Sequence, residues 1–147
     1  MQDKTLIKIL CISSFITGLI LGVLPLIPKL TGIAFFLVMF FSAPFVIIYL
    51  YKLKLIKDVE MQQCLSFGAI SGFFSFLGFT CTYFPLAFIL NLIFSINSFM
   101  WIKVMFTNIG FLIPMIFLTA LLCALMNMFS SFICSYLYEN LKLKNRG

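Results

Sequence analysis

The sequence lacks charged side chains over four long stretches. These stretches run from Ile9 to Pro28, from Leu30 to Tyr51, from Met61 to Ile102 and from Val104 to Tyr138. Charge-free runs of this length are typical of membrane-spanning segments and not of a water-soluble core. Because 63% of the 147 residues are hydrophobic and the mean hydropathy is +1.19, the whole of 1–147 is predicted to be one integral membrane domain.

The sequence also lacks the side chains that membrane chemistry usually needs. It has no His, and its four acidic residues lie at the edges of the apolar stretches, at Asp3, Asp58, Glu60 and Glu139. Membrane enzymes and proton-coupled carriers generally keep an acid, a base or a His within the bilayer. We therefore expect a protein without catalytic residues and without a cofactor.

Paired cysteines are missing as well. The five cysteines are isolated and none forms a C-x-x-C pair: Cys11, Cys64, Cys81, Cys123 and Cys134. With no His and no carboxylate beside them, they do not indicate a metal site. We expect them to be small packing residues within the spans.

The basic residues are ordered around the apolar stretches. Their excess gives a net charge of +6, but the flanking pattern is typical of a membrane protein and does not indicate nucleic-acid binding. Eight basic residues fall at the two termini and in the loop 52–57, whereas only Lys29 and Lys103 fall on the opposite side. The positive-inside rule therefore predicts cytoplasmic N- and C-termini. The composition suits a bacterial inner membrane.

These patterns predict an all-α bundle of four transmembrane helices. A hydrocarbon core about 30 Å thick requires roughly 20 apolar residues for each helix. The predicted spans are Thr5–Ile27, Thr31–Tyr51, Gln63–Phe84 and Phe111–Tyr138. Pro44 lies within the second span, where it predicts a kink.

The interval from Pro85 to Asn108 is apolar but carries Asn91, Asn97 and Lys103. A fifth span here would leave almost no residues for turns and would move the basic C-terminus outside. We expect instead an apolar segment in the outer interface, or an extension of span three bent at Pro85.

Small residues recur on three of the spans. Span three carries Cys64, Gly68, Ser71, Ser75, Gly78 and Thr82 at spacings of 3 and 4, with Gly72 completing a G-x-x-x-G motif. Span four carries Ala120, Cys123, Asn127, Ser130 and Cys134 at the same spacings, and span one carries a G-x-x-x-G at Gly18 and Gly22. Membrane helices associate where small residues let their backbones approach. Spans one, three and four are therefore predicted to pack tightly, with the Phe-rich span two at the periphery.

The same packing physics serves two purposes. The small residues can join helices inside one bundle, or they can join two or more copies of the chain. The sequence leaves both readings open.

One strongly polar side chain lies deep within a predicted span. Asn127 falls about 4.5 Å to the cytoplasmic side of the middle of span four, and Ser14 and Ser71 fall at a similar depth in spans one and three. An amide in hydrocarbon is costly unless it is hydrogen-bonded. These three residues are predicted to form one polar layer, either as a structural link between helices or as the contact for a neutral solute.

Two functions follow from these features. The first is a non-catalytic scaffold, accessory or assembly subunit that acts through helix–helix contacts, as a homo-oligomer or within a larger membrane complex. The second is a small channel or carrier for a neutral or apolar solute, lined by Ser14, Ser71 and Asn127. Four tightly packed helices leave no pore, so the second function would require an oligomer or a widened bundle.

Overall fold

The described part of the chain is helical throughout. A computed structural model describes residues 2–53, 55, 61–94 and 108–144, and these residues contain no strand. The helices are α1 (Gln2–Leu21), α2 (Thr31–Phe40), α3 (Ser42–Lys52), α4 (Met61–Phe94) and α5 (Ile109–Lys144), with 3₁₀ turns at Leu24–Leu26 and Pro28–Leu30. The all-helical prediction is thus confirmed for these residues.

Three single helices are long and apolar enough to cross a membrane. They contain the segments Lys4–Leu26, Gln62–Ile93 and Gly110–Tyr138. The pair α2 and α3 meets the same criterion when taken together, with a bend of 55° at the break between them. The described residues therefore supply three candidate spans, or four if the bent pair counts as one.

Helix α4 lies between α1 and α5. It packs along α1 on one side and along α5 on the other, whereas α1 and α5 hardly contact each other within the described residues. The prediction that spans one, three and four pack in mutual contact is therefore wrong for the pair formed by one and four. The small residues of α4 serve two neighbours, which keeps those neighbours apart.

The prediction that span two is peripheral is also wrong. Its residues Ala34, Val38, Ala43, Val46, Ile47 and Leu50 are at most 2% exposed. Ala34 and Val38 join a cluster with residues of α4 and α5, whereas Val46, Ile47 and Leu50 join a cluster with Leu10 of α1. Three of the phenylalanines that suggested an outer position, Phe36, Phe41 and Phe45, are exposed on other faces. Phe35 packs against the core, with its ring 5.0 Å from that of Phe79.

Helix α4 continues through Pro85 without interruption to Phe94. The interval from Pro85 to Asn108 therefore does not begin as a separate interfacial segment, and its first ten residues extend span three. Proline is tolerated inside membrane helices because neighbouring groups can satisfy the carbonyl that it frees. The rest of the predicted segment, 95–107, lies outside the described residues.

The two long helices exceed the predicted spans. Helix α4 has 34 residues and α5 has 36, so each is about 50 Å long. A hydrocarbon core is about 30 Å thick, so an untilted helix of this length would extend beyond it. Helix α5 runs to Lys144, which is beyond the predicted end at Tyr138.

Candidate functional site

Asn127 lies in the interior of the bundle, on the face of α5 that also carries Ala120 and Cys123. All three side chains are fully buried. The spacing of 3 and 4 residues places them on one side of the helix. This side faces α4 and the break between α2 and α3, so the amide of Asn127 is directed at the point where span two bends.

The Asn127 amide is bonded to both halves of the broken span. Its Nδ2 donates to the carbonyl oxygens of Val38 at 3.0 Å and Met39 at 2.8 Å, which lie in the last turn of α2. Its Oδ1 accepts from the backbone nitrogen of Ala43 at 2.9 Å and from the Ser42 hydroxyl at 3.0 Å, at the start of α3. The side chain therefore joins the end of one helix to the beginning of the next.

Both polar atoms of the Asn127 amide have hydrogen-bond partners within the chain. A side-chain amide has two N–H donors and one oxygen with two acceptor positions. Within reach of the donors there is a third carbonyl, that of Cys123 at 2.9 Å, in addition to those of Val38 and Met39. Oδ1 accepts from the Ala43 N–H and lies within reach of the Ser42 hydroxyl, which is also 3.1 Å from the Val38 carbonyl. Both polar atoms of the amide therefore have partners within the chain.

Ser14 and Ser71 meet at a separate contact between α1 and α4. Their hydroxyl oxygens are 2.9 Å apart, and both side chains are fully buried. The Ser14 hydroxyl also lies 2.7 Å from the carbonyl of Leu10 in its own helix. The structure thus brings the two serines together and gives Asn127 a different set of partners.

The division between the two contacts follows from the geometry of α4. Consecutive residues of a helix point about 100° apart. Ser71 faces α1, whereas the next residue, Gly72, faces α5. A Cβ atom on Gly72 would lie 2.6 Å from the Cys123 carbonyl oxygen and 2.7 Å from the Asn127 Cβ.

Helices α1 and α4 approach each other at glycines from both sides. A Cβ on Gly18 would meet the carbonyl of Ser75, and one on Gly22 would lie 2.7 Å from the carbonyl oxygen of Phe79. On α4, a Cβ on Gly78 would meet the carbonyl of Phe15. No larger residue fits at these points unless the backbones move apart.

Helices α4 and α5 use Gly68 in the same way as Gly72. A Cβ on Gly68 would meet the hydroxyl of Ser131, which itself donates to the Cys64 carbonyl at 2.8 Å. The small residues of α4 therefore form two surfaces. One carries Gly68 and Gly72 against α5, and the other carries Ser71, Ser75 and Gly78 against α1.

Beyond Asn127, the buried side of α5 departs from the predicted spacing. Ser131 and Ser135 are at most 4% exposed, whereas Ser130 and Cys134 are only partly buried. The buried positions Asn127, Ser131 and Ser135 are spaced 4 and 4, so the buried side shifts around the helix instead of alternating steps of 3 and 4. The sequence contains both serines, but the predicted alternation passed over them.

Two buried hydroxyls in the described residues have no hydrogen-bond partner. They belong to Ser75, at the contact with α1, and to Ser135, toward the C-terminal end of α5. A helical serine can also donate to a carbonyl of the preceding turn. Ser75 and Ser135 are on different helices, so they do not form one polar site. Ser75 is also enclosed, because Gly18 of α1 approaches its backbone closely.

The charged residues of the described part of the chain lie toward the ends of helices or in the turn between α1 and α2. Lys4, Lys8, Lys29 and Lys52 are exposed. Within the described residues, no three His, Cys, Asp or Glu side chains are grouped closely enough to hold a metal ion.

Comparison of the chain with protein-family models, with curated proteins and with solved structures finds no match.

Proposed function

We propose that this chain is a four-span membrane protein that acts through helix–helix contacts, as a scaffold, accessory or assembly subunit without catalytic activity. Its spans are α1, the bent pair α2 and α3, α4 and α5. The charge distribution favours cytoplasmic termini, and the composition suits a bacterial inner membrane.

The length of the bent pair supports its assignment as one span. Helix α2 has 10 residues and α3 has 11, so the arms are about 15 and 16 Å long. With a bend of 55° they extend about 28 Å from end to end. A re-entrant loop would have to turn back to its side of entry, whereas this pair covers about the thickness of the hydrocarbon core.

The observation that carries the proposal is the internal bonding of the Asn127 amide. It is the strongest hydrogen-bonding side chain deep in a span, and both its nitrogen and its oxygen bond to groups within the chain. A carrier for a neutral solute would need polar groups that can exchange an internal partner for the solute. An amide that joins two helix ends serves to fix the fold.

The outward surface of α5 supports a role in contact. Large apolar side chains repeat every fourth residue along it, and all are at least 42% exposed: Phe117, Leu121, Leu125, Phe129 and Ile133. Such a surface can face lipid or a neighbouring membrane helix. Helix α5 lies at the edge of the bundle, so this surface is open to either.

The alternative is a channel or carrier in which Ser14, Ser71 and Asn127 contact a solute. It is weaker because Ser14 and Ser71 bond each other across the contact between α1 and α4. A route that includes both the serines and Asn127 would have to cross α4, because Ser71 faces α1 whereas the adjacent Gly72 faces α5.

The proposal is tested by extracting the protein from its native membrane in polymer-bounded nanodiscs without detergent. Native mass spectrometry should then show the 16.8 kDa chain in an assembly of fixed stoichiometry, with itself or with another membrane protein. Single chains only would contradict a role as a subunit.

A flux assay separates the two functions. Liposomes containing the purified protein should pass urea and glycerol no faster than empty liposomes. Flux that Asn127→Leu abolishes and Thr119→Val preserves would overturn the proposal in favour of a carrier. Thr119 is a suitable control because its hydroxyl bonds only the Met115 carbonyl of its own helix among the described contacts.

A further inference from the structure

We propose that Pro44 and Asn127 form a coupled conformational device that sets the bend of span two: Pro44 interrupts the backbone hydrogen bonds, and the Asn127 amide replaces them. The coupling concerns the fold of span two and holds independently of the function proposed above. It assigns to Asn127 a role that depends on one particular proline in another helix.

The backbone is interrupted at Phe41, between the end of α2 and the start of α3. In one continuous helix, the N–H groups of Ser42 and Ala43 would donate to the carbonyls of Val38 and Met39. Pro44 has no N–H for the carbonyl of Phe40, and its ring clashes with that carbonyl. The helix therefore ends at Phe40 and restarts at Ser42, which removes backbone partners from the interior of a predicted span.

The side-chain amide bonds three of the backbone groups that the break releases. Nδ2 of Asn127 donates to the carbonyls of Val38 and Met39, and Oδ1 accepts from the N–H of Ala43. An amide carries the same donor and acceptor types as the peptide group that it replaces. In hydrocarbon no water is present to satisfy these groups, so the break depends on the amide.

The amide is held in place from α4 and α5. Its Nδ2 lies 2.9 Å from the Cys123 carbonyl, one turn earlier on α5. Gly72 of α4 leaves the space that the Asn127 side chain occupies. The packing of α5 on α4 therefore sets the position of the amide, and the amide sets the bend between α2 and α3. A displacement of α5 would release span two to straighten.

A double-mutant cycle on the purified full chain tests the coupling. The variants are Asn127→Leu, Pro44→Ala and both together, with thermal unfolding midpoints measured in the same detergent. Pro44→Ala restores an N–H and permits a continuous helix, in which Val38 and Met39 no longer need the amide. The loss of midpoint caused by Asn127→Leu should therefore be less than half as large in the Pro44→Ala background.

A second proline provides the control. Pro85 also interrupts the hydrogen bonding of a helix, α4, but it is exposed, and none of the described hydrogen bonds of Asn127 goes to α4. In the Pro85→Ala background, Asn127→Leu should lower the midpoint by as much as in the native chain. An equal loss in all three backgrounds would overturn the proposal.

A milder variant covers the case in which Asn127→Leu does not fold. Asn127→Asp keeps the shape and both acceptor positions but has at most one donor in place of two. Its loss of midpoint should also shrink in the Pro44→Ala background and stay unchanged in the Pro85→Ala background. A loss that is the same with and without Pro44 would contradict the coupling.

Discussion

The Oδ1 atom of Asn127 lies 2.9 Å from the backbone nitrogen of Ala43, a residue 84 positions earlier in the chain. This hydrogen bond ties α5 to the first turn of α3. Together with the bonds from Nδ2 to Val38 and Met39, it supplies partners for three backbone groups at the break in a predicted span. It also makes the shape of the N-terminal half depend on the C-terminal helix.

Removing the serine pair should have a small effect. Ser14→Ala and Ser71→Ala each delete a partner from the 2.9 Å contact between α1 and α4. Hydrogen bonds between membrane helices are worth about 0.6 kcal/mol on average, so each variant should lower the free energy of unfolding by less than about 1 kcal/mol. Unfolding in mixed micelles checks this, and a loss above about 2 kcal/mol in either variant would contradict it.

Adding a side chain at Gly18 should push α1 away from α4. The new Cβ would meet the carbonyl of Ser75, which is backbone and cannot rotate away. We expect Gly18→Ala to lower the free energy of unfolding by about 1–3 kcal/mol, the usual cost of overpacking.

The matched control for Gly18 is Gly110, near the start of α5. A Cβ there has no atom within 4 Å, so Gly110→Ala should be neutral or stabilising by up to about 1 kcal/mol. If Gly18→Ala is as harmless as Gly110→Ala, the close approach of α1 and α4 does not exist in the folded protein.

Gly72→Ala should disturb the other side of α4. Its Cβ would lie 2.6 Å from the Cys123 carbonyl oxygen and 2.7 Å from the Asn127 Cβ, so α5 must move. We expect a loss of about 1–3 kcal/mol from overpacking, together with weaker bonding of Ala43 to the amide. The amide resonance of Ala43 should shift in Gly72→Ala and stay in place in Gly18→Ala, and equal shifts would contradict the two-sided packing of α4.

Accessibility labelling should locate the exposed lysines on opposite sides of the membrane. In intact cells, Lys29→Cys should react with a membrane-impermeant maleimide, whereas Lys52→Cys should react only after permeabilisation. Both variants are made in a chain whose five native cysteines are replaced. The reverse pattern would contradict the assignment of cytoplasmic termini, and labelling of both positions in intact cells would contradict α2 and α3 as one span.

The sequence predicts the helical class well because charge-free stretches leave few alternatives in a bilayer. It predicts less about which helices pack together. The rule that small residues mark contacts located Gly18, Gly72 and Gly78 on α1 and α4, but it assigned span two to the periphery. A helix can also pack through Ala34 and Val38, and counting phenylalanines does not show which face they occupy.

The sequence predicted Asn127 as a buried polar residue but did not predict its hydrogen-bond partners. Asn127 stood out because an amide in hydrocarbon must be bonded, but its partners are backbone groups, which carry no sequence signal of their own. Pro44 was the available clue, since a proline inside a span frees carbonyls that need a donor. The sequence left open whether the residues after Pro85 extend span three or lie in the interface, since a proline weakens a helix but does not always end it.

The most direct test of this account is the contact between the Asn127 side-chain amide and water. In nanodiscs with ¹⁵N-labelled asparagine, the Nδ2 protons are identified as the pair of signals that disappears in Asn127→Asp. The account predicts no cross-peak between these protons and water, since the amide is fully buried and bonded inside the bundle. A water cross-peak as strong as that of an exposed asparagine would contradict it, because the amide would then be open to a solute.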